Sequence, residues 1–210
     1  MKRSAIRFFR SSALLVGVAT LAVLGTACTG RGGGQLPPDN VTFNGAASFG
    51  FSFSCEDQGG VNPRTGQLRI ELSYSDHGAN PLGSSFSIHG IADRIDPVVE
   101  SAVCIGQNPP PGGSELIFLG RYRLTSPAPA GFPSTCVGRD NDTRPSCRFE
   151  VVVRDNDRNG APSPGDFFSI NLTTATADCT SIPLDPSCSD LPAGFYMRAG
   201  LLSKGNITVA

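Results

Sequence analysis

The chain has 210 residues and a formal net charge of −1, with 39% apolar residues, 25 Gly, 17 Pro and 7 Cys. Many turn-forming residues beside an ordinary apolar content argue against a helical or disordered chain and favour one or two compact β-rich domains. The near-neutral balance lacks the basic stripe that a nucleic-acid partner would require.

At the N-terminus, Lys2, Arg3, Arg7 and Arg10 precede the apolar run Ala13 to Leu24. A basic end before so short an apolar segment predicts an export signal over 1–27, not a membrane span. The signal ends in Leu24-Gly25-Thr26-Ala27-Cys28, which resembles a bacterial lipobox and makes Cys28 a candidate lipidated N-terminus. An ordinary signal peptidase would accept Gly25 and Ala27 at the same bond, leaving a secreted protein with no anchor. Cysteine arithmetic favours lipid, because seven is odd and removing Cys28 leaves an even set to pair in an oxidising compartment. More than one acyl chain on one residue makes anchoring stable. Loss of the signal removes four basic residues and leaves the exported part mildly acidic. The expected location is the outer face of a bacterial membrane in the cell envelope, with an extracellular or envelope partner unspecified by the residues.

Residues 28–40, rich in Gly and Pro and without apolar periodicity, read as a flexible tether. The globular part is expected over 41–210. Within it the dominant period is two. Ala47, Phe49, Phe51 and Phe53 alternate with small polar residues, and Leu68, Ile70, Leu72 and Tyr74 alternate with Arg69, Glu71 and Ser73. Further strands are expected over 85–91, 98–103, 115–124, 148–154, 166–172, 195–202 and 206–209, separated by turn clusters such as NPRTG and GQNPPPGG. About nine short strands with one buried face each predict an all-β fold, an antiparallel β-sandwich.

Six cysteines are left to brace it. Cys136 with Cys147 and Cys179 with Cys188 bracket short polar loops, which leaves Cys55 with Cys104. Each closure would contribute on the order of 2 to 3 kcal/mol. No CxxC occurs, so a zinc thiolate site is disfavoured.

One resemblance rests on motif order. GGGQ at 32–35, the Phe-Gly-Phe strand at 49–51, Gly66-x-Leu68 with Tyr74 and Asp76, Asn159-Gly160-Ala161-Pro162 leading to Asp166-Phe167-Phe168, and Gly200-x-Leu202 with Gly205-Asn206-Ile207 together resemble the post-COAP domain. That family consists of modules of bacterial exported and surface proteins, often beside choice-of-anchor domains. The resemblance implies a β-rich extracellular module and carries no catalytic residues over to this chain.

The sharpest local chemistry is Asp155-Asn156-Asp157-Arg158-Asn159-Gly160 followed by Asp166. The spacing D-x-D-x-N-G with an acid in the twelfth position is that of a calcium loop, in which alternate oxygen ligands surround a hard cation and Gly permits the turn. Asp155, Asp157, Asn159 and Asp166 are therefore candidate calcium ligands, the alternative being a hairpin connection in which Asp and Asn cap their own backbone. His77 and His89 are the only histidines; with Asp76 or Asp93 they form too small a set for a transition metal and read as surface residues. No G-x-S-x-G, H-E-x-x-H or phosphate-cradling loop is present. A non-catalytic surface or interaction module is the expected function. The rival is a secreted hydrolase whose acids and histidines converge only in space, a cleft joining Asp76, His77 or His89 being its signature.

Overall fold

A computed structural model describes residues 27–56, 67–91, 114–137, 147–156, 165–175 and 194–209. Nine strands follow in chain order: β1 (Ala27–Leu36), β2 (Ala47–Glu56), β3 (Gln67–Asp76), β4 (Phe86–Ile91), β5 (Glu115–Leu124), β6 (Cys147–Arg154), β7 (Phe167–Leu172), β8 (Tyr196–Leu201) and β9 (Lys204–Val209). They form one sheet in the order β8-β7-β6-β5-β4-β3-β2-β1-β9, with every neighbouring pair antiparallel. Among the described residues the only helical turn is a 3-10 turn at Ser134–Cys136, and no helix is long and apolar enough to cross a membrane. The export signal over 1–27 lies outside the described residues up to Thr26, as does the strand expected over 98–103.

Strand order dictates the curvature. In a flat sheet β8 and β9 would lie about 38 Å apart, eight strand spacings. Only Leu202 and Ser203 join them, a link that reaches about 10 Å. The sheet therefore curls until its edge strands approach, and the link is stitched to both sides: Leu202 N donates to Asp166 O at 2.8 Å and Ser203 N to Gln35 O at 2.9 Å. The all-β antiparallel fold matches the expectation, and the apolar faces expected to pack together are opposite walls of this one curled sheet.

Period-two alternation fills the concave side. Phe49 of β2 stacks on Phe168 of β7, with ring centroids 3.8 Å apart, although four strands separate them in the sheet. Phe51 and Phe53 reach Phe118 of β5 at 5.3 and 5.8 Å. All of these rings are buried, each contributing roughly 1.5 to 3 kcal/mol relative to exposure.

The expected tether requires correction. Its first nine residues belong to β1, which pairs with β2 on one side and β9 on the other. Inward positions of β1 carry Gly30, Gly32 and Gly34, so the strand shows no apolar alternation. Two of these glycines are required by close approach: a Cβ on Gly30 would collide with Leu116 Cδ2 of β5, and one on Gly34 with the Lys204 carbonyl of β9. A composition that reads as flexible is here a strand stripped of inward side chains so that its neighbours can close in. The folded sheet accordingly includes residues 27–36, ahead of the expected boundary at 41. Only the β1–β2 connection remains irregular, and it is tightened by Asp39, whose Oδ1 accepts from the Val41, Thr42 and Phe43 amides at 2.9, 2.8 and 2.7 Å. The Phe43 and Val41 amides hold the Asp39 carboxyl below the usual carboxylate range.

Cys136, in the 3-10 turn, is bonded to Cys147 at the start of β6, with Cα atoms 5.2 Å apart. The expected pairings of Cys55 with Cys104 and Cys179 with Cys188 lie outside the described residues.

Candidate functional site

The residues singled out for chemistry fall in three separate places. Asp76 ends β3 and points inward, where it is 1% exposed. Its Oδ2 accepts from Arg198 Nη1 at 3.0 Å and from the Tyr196 hydroxyl at 2.7 Å, while Oδ1 accepts from the Gly78 amide at 3.2 Å. Tyr196 has one proton and gives it to Asp76, so the Tyr74 hydroxyl, 2.5 Å away, donates to the Tyr196 oxygen. Arg198 Nη2 donates to Pro37 O at 2.9 Å and Gly45 O at 2.7 Å, and the guanidinium lies 4.5 Å from the Phe43 ring centroid. Burial pushes both phenols far above the usual tyrosine range. This cluster ties β3, β8 and the β1–β2 connection together where the curled sheet closes. Each charged group in it is paired, as a buried ion pair requires.

The Asp76 carboxylate is thereby committed to Arg198, Tyr196 and the Gly78 amide. His77 is exposed, and its Nε2 lies 2.7 Å from Ser48 Oγ. That is the contact of a hydroxyl nucleophile with its base, but no carboxylate among the described residues bonds His77 to orient its ring. The adjoining depression of about 310 Å3 is lined by Asp76 and His77 together with Ser84, Ser85, Ser87 and Ser126. His89 lies on the outer face of β4 and pairs with Glu71 Oε2 at 2.9 Å. Asp76 and His77 thus border one depression with their side chains engaged by different partners, His89 does not join them, and among the described residues no group of three or more His, Cys, Asp or Glu is placed to hold a metal.

The third place is the acidic segment between β6 and β7. Asp155 and Asp166 are 4% and 5% exposed and both face β9. Asp166 Oδ2 accepts from the Ile207 amide at 2.6 Å, and Asp155 Oδ2 from the Val209 amide at 3.2 Å. Asp166 Oδ1 also accepts from the Asn156 amide at 3.0 Å, closing the neck of the segment. Alternate amides of a strand point the same way, so the two carboxylates act as acceptors along the edge of β9 that β1 does not cover. Asp157 and Asn159, the other expected calcium ligands, lie outside the described residues.

Cys28, the expected lipidation site, is the second residue of β1, and the β1–β2 register sets it opposite Cys55. Arg198 was not apparent as a site residue, although its position between inward-facing Tyr196 and Gly200 on an alternating strand would have flagged a buried cation. Its partner Asp76 is 122 residues away, so no local spacing could reveal the pair.

No family model, no curated protein and no solved structure matches the chain.

Proposed function

We propose that this chain is a lipid-anchored, extracytoplasmic β domain that works as a non-catalytic surface or interaction module of the kind the post-COAP resemblance implies. The observation that carries the reading is the coincidence of the lipobox-like Leu24-Gly25-Thr26-Ala27-Cys28 with the first strand. β1 begins at Ala27, so cleavage before Cys28 would leave a domain whose first residue is both the lipid attachment and part of the sheet. With no tether between them, the sheet would lie directly against the bilayer surface. The recognition face would then be formed by connections at the end remote from Cys28, since loops on a rigid scaffold are where binding concentrates. The non-catalytic part of the reading is supported by the Asp76 carboxylate being committed to Arg198 and Tyr196.

Expression of the full chain in a bacterium with a lipoprotein pathway tests this. Wild-type protein should partition into the membrane and into a detergent-rich phase, and Cys28→Ser protein should be soluble and exported. Equal partitioning of the two would remove the anchor.

A further inference from the structure

The depression beside His77 lies where β3 ends and β4 begins, at the end of the sheet remote from Cys28. The register sets Cys28 opposite Cys55 and Cys55 opposite Leu68, and from Leu68 to Asp76 the strand runs about 26 Å. Side chains hold its frame. Asn80 fixes the turn after β3, donating from Nδ2 to Gly78 O at 3.3 Å and to Ser84 O at 2.9 Å and accepting at Oδ1 from the Leu82 amide at 2.9 Å. Ser126 fixes the other side, where its Oγ accepts from the Ser87 amide at 2.8 Å, and Ser48 holds the His77 ring at Nε2. On this frame Ser84 Oγ, Ser85 Oγ and His77 Nδ1 have no hydrogen-bond partner among the described residues.

The charge of the wall decides the class of ligand. Apart from His77 the only titratable side chain in it is Asp76, which is 1% exposed and already paired with Arg198 at 3.0 Å. No Lys or Arg lines the depression to hold an anion, and no unspent carboxylate is there to hold a cation. Serine hydroxyls both donate and accept, as sugar hydroxyls do, and Pro127 and Ala128 supply an apolar side for the C–H groups of a ring. We propose that this depression is a binding site for a neutral sugar. Its volume of about 310 Å3 is at the small end of small-molecule sites. Phe86, the one aromatic in the lining, is 1% exposed, so ring stacking adds nothing and the dissociation constant is on the order of 1 to 10 mM. The inference deepens the interaction-module reading and rests on it, giving that module a recognition site in the connections remote from Cys28, and it does not involve the anchor.

The test uses oxidised, full-length exported protein carrying Cys28→Ser, isotopically labelled, with glucose, galactose, mannose and N-acetylglucosamine as probes at up to about 50 mM. At least one of the four should shift the backbone amide resonances of His77, Ser84, Ser85, Ser87 and Ser126 and leave those at the Cys28 end unmoved. Ser85→Ala, at an exposed residue, should weaken that binding roughly two- to tenfold through the loss of one hydrogen bond. Ala128→Arg, also at an exposed residue, should abolish it by filling the depression. Glucuronate should bind more weakly than the sugar that does bind. No shift from any of the four, shifts confined to other residues, binding undiminished in both variants, or glucuronate bound as tightly would overturn the proposal. Each of these outcomes is separate from the membrane partitioning of the unsubstituted protein, which tests the anchor.

Discussion

At the residue scale the three tyrosines are the most informative side chains. Tyr74, Tyr122 and Tyr196 are all buried, and burial is the leading cause of the upward shift of each phenol. Tyr122 donates to the Thr173 carbonyl at 3.1 Å, while the other two serve the Asp76–Arg198 cluster. A phenol whose folded pKa is raised favours the fold fully below its unfolded value and loses that contribution as pH rises past it. The unfolded chain ionises its tyrosines near pH 10, so above that pH each buried phenol should remove about 1.4 kcal/mol of stability per pH unit. With three Tyr and no Trp, tyrosinate absorbance reports these groups alone. An alkaline titration should show no tyrosinate until the fold is lost, then all three phenols ionising together. A phenol titrating near pH 10 in the folded protein would contradict its burial.

At the element scale β1 and β9 show what closure demands. β1 lies between β2 and β9 and gives up inward side chains to do so, with Gly30 against Leu116. Gly30→Val should destabilise the domain by about 1 to 3 kcal/mol through overpacking, whereas Gly50→Ala, on the outer face with no close neighbour to a Cβ, should be nearly neutral. Denaturant midpoints of the two variants check this, and equal midpoints would show that β1 is not held against β5. The uncovered edge of β9 is occupied by the Asp155 and Asp166 carboxylates, which blunts an edge that could otherwise pair with another chain.

At the scale of the whole molecule, eight of the nine described strands were legible because their inward residues alternate, as Phe49, Phe51 and Phe53 do. β1 was not, because period-two reasoning needs an apolar side chain at each inward position and glycine supplies none. The order of the strands was also hidden: only the two-residue link between β8 and β9, read together with the pairings, forces the sheet to curl. Asp155 and Asp166 were singled out by their spacing as candidate calcium ligands, but their service as acceptors for the Val209 and Ile207 amides depends on a strand brought from elsewhere in the chain. The Asp76–Arg198 pair depends on the same closure. Cys28 stands apart, being marked by the residues before it rather than by the fold, and the structure adds that it would enter the sheet at once.

The most direct test of the anchored-module account is therefore the mass of the N-terminal peptide of mature protein purified from membranes without reduction. The account predicts a peptide beginning at Cys28 and carrying diacylglycerol, with or without a further acyl chain. A peptide with unmodified Cys28, or with Cys28 in a disulfide to the Cys55 that lies opposite it in the register, would contradict the anchor.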